Sequence, residues 1–241
     1  MKQNLPIIVG ESRPIREIMQ IVGMVAQSAD TPVLITGETG SGKELIAQTI
    51  HYKSPNFKGP LITVNCAAIP KELIESELFG YEKGAFSGAH AAKAGLVEEA
   101  ADGTLFLDEV GDLSAEAQAK LLRFLESGEY FRVGGTRRLQ VQTRVLSATN
   151  RDLMAMAQEG TFRMDLYYRL AVLKIEVPSL NERRGDILPI AKFFLEKFTK
   201  KFGKAYTGLS PDAIDALEKF NWTGNVRELR NMIERAVMLG S

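Results

Sequence analysis

The chain has 241 residues, 45% hydrophobic and 25% charged, with 30 Lys+Arg against 30 Asp+Glu. That composition belongs to a globular protein and excludes a disordered one, and the zero net charge excludes nucleic-acid binding through bulk positive charge. A single cysteine, Cys66, and two histidines, His51 and His90, exclude an internal disulfide and any zinc site of recognised spacing. The cysteine usage suits a reducing compartment. No apolar run is long enough to span a bilayer and the start, MKQNLPIIVG, lacks a signal-peptide core, so the expectation is a cytoplasmic protein without membrane contact.

In chain order the first predicted element is a helix. Ile15, Ile18, Met19, Val22, Val25 and Ala26 keep the spacing of one helical face, and Thr31-Pro32 closes the segment. Short runs rich in branched residues follow: VLIT at 33–36, LITVN at 61–65, TLFLDE at 104–109, RVLSATN at 144–150 and VLKIEV at 172–177. These read as buried strands. Between them lie helix patterns, KELIAQTIHYK from Lys43 and AEAQAKLLRFLESG from Ala115 to a terminating Gly128. The alternation predicts an α/β protein, a parallel sheet covered on both faces over residues 1–178. From Asp186 the pattern is helical only, predicting an α-helical lid subdomain over 179–241, with Ser210 as an N-cap and Pro211 in a first turn. The stop at Ser241, barely past a helix pattern, reads as a domain of a longer protein.

The sharpest chemical signal is GETGSGKE at 37–44, a GxxxxGK run between a predicted strand and a predicted helix. Gly37, Gly40 and Gly42 let backbone N–H groups approach phosphate oxygens, Glu38, Thr39 and Ser41 complete the loop, and Lys43 brings a positive charge to the β- and γ-phosphates. Glu44 stands where the general motif has a hydroxyl for Mg2+, so the metal must lean on other groups. LFLDE at 105–109 supplies them, since open parallel sheets put their ligand crevice at strand ends. Asp108 is expected to hold Mg2+ and Glu109 to polarise the attacking water as general base. Asn65 and Asn150, at the exits of LITVN and RVLSATN, are polar candidates for catalysis and nucleotide contact respectively, although asparagine is equally a turn residue. Cys66 reads as a small buried hydrophobe.

Three further features stand apart. ELFGYEKGAFSGAHAAKAG at 77–95 mixes glycines with Tyr81 and Phe86 and is too irregular for a helix or strand. A loop of that length inside an α/β core points to function, the plain alternative being an insertion whose Phe86 packs on its own domain. Arg163 and Arg169, six residues apart, project about 120° from each other on a helix; their plain alternative is pairing with Asp165 or Glu159. Arg227 falls in a first helical turn after Gly224 and Asn225, where a cation opposes the helix dipole and invites a phosphate, unless it pairs with Glu228 or Asn231.

GETGSGKELIA, ELFGYEKGAFSGA, GTLFLDE, SATNRDL, FRMDLYYRL and WTGNVRELRN, in this order and across nearly the whole chain, resemble the central AAA+ ATPase domain of bacterial enhancer-binding proteins, the nitrogen regulatory protein C family. The resemblance implies a P-loop core with a helical lid that hydrolyses ATP with Mg2+ in a homo-oligomeric ring, hexamer or heptamer, and activates RNA polymerase holoenzyme carrying sigma-54. It implies that Gly84, Ala85, Phe86, Ser87, Gly88 and Ala89 form the loop tip that touches sigma-54, with Ser87 where the family usually has threonine. RVGG at 132–135 resembles the family's second surface loop. Arg169, with Arg163 as partner, would reach the γ-phosphate of the neighbouring subunit, and Arg227 would sense the nucleotide. Glu44 is similar to the family's own phosphate loop. DNA would be contacted only through a domain outside this chain. A small-molecule P-loop kinase has no use for GAFSGA or a late Arg227; the remaining alternative is a nucleotide-gated binding module without turnover, against which Glu109 speaks.

Overall fold

The structure, a computed structural model, describes residues 6–206 and 208–240. Residues 1–5 of the expected 1–178 unit, and Thr207 and Ser241 of the expected 179–241 unit, lie outside the described residues. Strands form where branched and apolar residues run together: β1 (Val33–Thr36), β2 (Leu61–Asn65), β3 (Thr104–Asp108), the two-residue β4 (Glu129–Tyr130) and β5 (Leu139–Gln140), β6 (Arg144–Thr149) and β7 (Leu173–Glu176). Helices α1 (Arg13–Ala26), α2 (Lys43–Tyr52), α3 (Lys71–Phe79), α4 (Leu96–Glu99), α5 (Ala115–Ser127), α6 (Leu153–Gln158) and α7 (Met164–Leu170) alternate with them. After β7 come α8 (Ile187–Phe202), α9 (Pro211–Lys219) and α10 (Asn225–Leu239). Five strands pair in parallel in the order β2-β3-β6-β1-β7, and β4 pairs antiparallel with β5. This is the α/β architecture that the alternation predicts.

Successive strand residues face opposite sides, and the two faces are filled separately. Val33 and Ile35 join Ile15 and Val22 of α1 and Ile46 and Ile50 of α2, whereas Leu34 joins Phe79 of α3, Leu121 of α5 and Leu166 of α7. With both faces covered no polar face is needed, and every residue of β6 is buried. A third core, with Ile187, Phe198, Trp222, Leu229 and Ile233, belongs to the helices after β7.

The order of the sheet also places its crevice. β1 sends its crossover towards β2 while adjacent β6 sends the chain towards β7, so the connections part between the C-terminal ends of β1 and β6. At the opposite strand ends Arg144 is fully buried and donates to the carbonyls of Val25 (2.9 Å), Ser28 (2.8 Å) and Thr31 (3.3 Å). It thereby ties together carbonyls at and just beyond the end of α1. Burial pulls its pKa down to about 10, which leaves it charged at neutral pH.

Several local expectations change. α1 ends at Ala26, ahead of Thr31-Pro32. Glu77, Leu78 and Phe79, expected to open an irregular loop, are the last turn of α3, because Leu78 and Phe79 are core residues; the helix stops at Gly80, with φ 74°. Arg163 is the N-cap of α7 and lies outside the helix, so a projection angle drawn along one helix does not describe the pair. Before α8 the chain makes a kinked 3-10 stretch, Leu180–Asp186, opened by a Ser179–Glu182 capping box. Ser210 caps α9 as expected, its Oγ accepting from Ala213 N at 3.2 Å. Among the described residues no helix is long and apolar enough to cross a membrane.

Candidate active site

Residues 37–42 connect β1 to α2 at the crevice. Gly42 is the N-cap of α2 with φ +112°, and the space where a Cβ would stand is open. Such a turn leaves the first N–H groups of α2 without side-chain cover, an arrangement able to receive an anion. Gly40 has a different reason to be glycine: a Cβ there would lie 2.5 Å from the carbonyl of Gly224 in the C-terminal helical region. The hydroxyls of Thr36 and Ser41 are buried with no partner among the described residues.

Lys43 is buried, and its Nζ donates to the carbonyls of Gly37 (2.8 Å) and Glu38 (3.3 Å) and stands 3.7 Å from Glu109 Oε1. Asp108 ends β3, where burial first and the neighbouring Glu109 second raise its pKa above the ordinary carboxylate value. Glu109 takes a left-handed backbone, φ 55° and ψ 51°, and its Oε2 accepts the Asn150 backbone N–H at 3.1 Å. Asn150 Nδ2 in turn donates to Thr39 Oγ1 at 3.0 Å. Lys43, Asp108, Glu109, Asn150 and the phosphate loop therefore come together at one edge of the sheet.

Other residues are placed differently. Asn65 is level with Asp108 across β2 and β3, but its Oδ1 caps the next turn, accepting from Ala67 N (3.0 Å) and Ala68 N (3.2 Å). Glu44 is exposed and accepts from Gln48. Arg163 grips Asp165 at 3.0 and 2.7 Å, and Arg169 donates twice to the Leu125 carbonyl, at 3.0 and 2.7 Å. Arg169 lines a cleft of about 930 Å³ beside Thr31, Pro32, Arg144 and Val172, at the strand starts and so at the far edge of the sheet from Lys43. Arg227 is exposed and lies against Gly40; among the described residues it has no carboxylate partner, and Glu228 accepts from Gly224 N at 2.8 Å instead. Cys66 is buried, and its thiol is pushed up to about 12 by burial and by Asp108, Asp112 and Glu109.

Gly84–Ala89 closes on itself, Gly84 N donating to Ala89 O at 2.9 Å and Ala89 N to Phe86 O at 3.0 Å. The Phe86 ring meets Tyr81 edge-on at 4.9 Å and stays 40% exposed. Below this tip Tyr81 bridges to Lys93 and to Val133 of RVGG, and Arg132 holds both Glu82 (3.2 Å) and Glu98 (2.9 Å).

Sequence reading did not single out Arg183, Asn225 as a side chain, or the wall of a pocket beside the phosphate loop. That pocket, about 580 Å³, is lined by Ile8, Val9, Ile46, Arg183, Phe194 and Val226. Its apolar wall fits a nucleobase. Arg183 is buried and donates to Ser41 O at 2.6 Å. Only the IIVG run ahead of α1 could have pointed to the pocket, and it has no periodicity.

Residues 8–176 match the sigma-54 interaction domain family, and residues 181–241 match the AAA+ ATPase lid domain family. The chain is 49% identical over 232 residues to the nitrogen fixation protein AnfA of Azotobacter vinelandii, covering 96% of this chain and 43% of that protein. It is 49% identical over 234 residues to the regulatory protein AtoC of Escherichia coli K12, covering 97% of this chain and 50% of AtoC. The crystal structure of NtrX from Brucella abortus in complex with ADP superposes with a TM-score of 0.90 at 41% identity, over 97% of this chain and 51% of that one. NtrX has also been solved in complex with ATP, with the same TM-score of 0.90. The chain thus spans about half the length of these relatives.

Proposed function

Because the chain belongs to the sigma-54 interaction domain family and carries an AAA+ ATPase lid domain, we propose that it hydrolyses ATP to ADP and phosphate in a ring of like subunits and uses that cycle to act on sigma-54 in RNA polymerase holoenzyme. The observation that carries the reading is the meeting of Lys43 and Glu109, 3.7 Å apart, at an open glycine cradle. The core, 1–178, receives the nucleotide, and the lid, 179–241, covers it.

The residues fit a magnesium–nucleotide pair. The cradle at Gly42 and the unpartnered Ser41 hydroxyl accommodate phosphate oxygens, and the apolar pocket accommodates the base. Among the described residues no cluster of three or more His, Cys, Asp or Glu side chains forms a metal cage. That agrees with Mg2+, which takes one or two carboxylates and completes its shell with phosphates and water. Asp108 is the residue that would hold it, and the bound ion supplies charge neutralisation at the phosphates.

Each side chain then has a task. Lys43 exchanges two loop carbonyls for phosphate oxygens. Glu109 accepts the proton of the attacking water, with Asn150 holding its other oxygen and bracing Thr39. Asn65 keeps its amide N–H2 free of the cap and stands level with Asp108, suited to hold that water or the Glu109 carboxylate. Glu38, Thr39 and Glu44 border the phosphates, and Arg227 approaches them from the lid. Arg169 stands at the far edge of the sheet from its own phosphate loop, so it serves the nucleotide of another copy, with Arg163, at the other end of α7, as its partner in that task. A ring of six or seven copies meets that need. Gly84–Ala89 carries the contact with sigma-54, DNA is reached through a domain outside this chain, and the setting is the cytoplasm.

The test compares ATP binding and turnover in the wild type and Glu109→Gln. Both bind ATP, the wild type turns over, and the amide variant is at least about 10²-fold slower because it cannot take a proton. Tight binding without turnover in the wild type at every protein concentration replaces this reading with the binding module.

A further inference from the structure

Two buried side chains of the lid reach the phosphate loop: Arg183, which meets the Ser41 carbonyl, and Asn225, which meets the loop's middle. Asn225, the first residue of α10, is fully buried and has φ 54°, a left-handed backbone that asparagine tolerates better than most residues. Its Oδ1 accepts the Leu180 N–H at 2.6 Å, at the start of the lid segment. Its Nδ2 donates to Glu38 Oε2 at 2.8 Å and to the Thr39 carbonyl at 3.2 Å. The next lid residue, Val226, donates its N–H to the Gly40 carbonyl at 3.1 Å. Three successive residues of the loop are thus held by two successive residues of the lid, and both amide hydrogens of Asn225 are used.

We propose that Asn225 is a positioning residue that keeps the phosphate loop in its nucleotide-accepting shape and ties that shape to the docked lid; the inference rests on the nucleotide reading above. A loop with glycines at 37, 40 and 42 has many backbone states open to it, and any that must be abandoned on binding subtract from affinity. Asn225 removes that freedom before nucleotide arrives. The linkage runs both ways, so nucleotide in the loop also holds the lid down. Arg227, two residues on, is thereby held over the same loop.

Asn225→Asp separates this role from a merely structural one. It keeps the shape and the acceptor for Leu180 N–H, loses both donated bonds, and sets a carboxylate against Glu38. Glu38→Gln in the same chain returns a donor to the pair. ATP affinity, and the rise in melting temperature on adding ATP, are measured on the full chain for the wild type, both single variants and the double variant. Asn225→Asp weakens ATP binding about tenfold, the scale of one hydrogen bond to a charged group, and shrinks the ATP-induced rise. Glu38→Gln alone keeps an acceptor for Asn225 Nδ2 and serves as the reference for the double variant, which regains most of the loss relative to Asn225→Asp. If Asn225→Asp fails to fold, Glu38→Ala is read instead: its side chain is exposed, and ATP affinity falls severalfold if the link positions the loop. Wild-type affinity in Asn225→Asp with only a lower melting temperature, or no recovery in a folded double variant, or unchanged affinity in Glu38→Ala, overturns the inference. Failure of the wild type itself to bind ATP removes the nucleotide reading, and this inference with it.

Discussion

Glu109 holds a backbone conformation that a non-glycine residue avoids, at a cost on the order of 1–3 kcal/mol. The strain persists because the turn sets its carboxylate between the Asn150 N–H, just past β6, and Lys43, at the start of α2. His51 shows the opposite kind of constraint, a titratable group buried for packing. Its Nδ1 meets Thr104 Oγ1 at 2.9 Å, and burial first and Arg144 second lower its pKa below the ordinary 6.5. The native state therefore holds fewer protons than the unfolded chain as pH falls below 6.5, so stability is complete above that value and declines below it. The slope contributed by this one group is at most about 1.4 kcal/mol per pH unit. Urea unfolding at pH 7 and pH 5.5 should show a smaller pH effect in His51→Gln than in the wild type. Equal pH effects in the two proteins would remove His51 from that role.

Among elements, the loop at 80–95 is the one on which the proposed contact with sigma-54 rests. Its base is pinned by Tyr81, Lys93, Val133 and Arg132, while its tip is closed by its own backbone and rests at Ala85 against Gly134. Phe86 leans on Tyr81 and remains part exposed, so truncating it removes one aromatic pair and leaves the core cluster intact. Phe86→Ala should cost about 1 kcal/mol, the scale of an aromatic pair, against about 3–5 kcal/mol for a core phenylalanine. ATP hydrolysis and assembly should persist while sigma-54-dependent open-complex formation fails. Thermal melting, ATPase and promoter-opening assays on the one variant decide it. A melting point lowered as for a core residue, together with lost hydrolysis, counts against the contact role, and so does intact promoter opening.

For the whole molecule, the decisive geometry is that the phosphate loop and Arg169 occupy opposite edges of one sheet. A strand rises about 3.3 Å per residue, so the sheet itself keeps the two apart. Turnover should therefore rise more steeply than in proportion to protein concentration, until assembly is complete. Arg169→Ala subunits and Glu109→Gln subunits, each inactive alone, should regain activity when mixed, since some interfaces then pair an intact finger with an intact base. A fully used finger is worth roughly 10³ to 10⁵ in rate, so even sparse recovery is measurable. No recovery in demonstrably mixed assemblies would argue that the arginine acts within its own chain.

By itself the sequence determined what is local. Strand patterns of branched residues, the glycine spacing of 37–42 with Lys43 behind it, and the acidic end of β3 each lie within a dozen residues, where backbone sterics and hydrophobic periodicity act without help from distant chain. The short helices α3, α4 and α6 escaped because so few turns carry little periodicity, and burial against the sheet holds them in shape. Only the tertiary structure decided which donors meet which acceptors across long separations. Asn225 and Glu38 are 187 residues apart, and Arg144 reaches carbonyls 113 to 119 residues away. It also decided that Asn65 spends its Oδ1 on a cap and that Arg163 turns to Asp165 within the single chain. A polar side chain carries no mark of its partner, because the buried group binds whatever the packed core brings within hydrogen-bond reach.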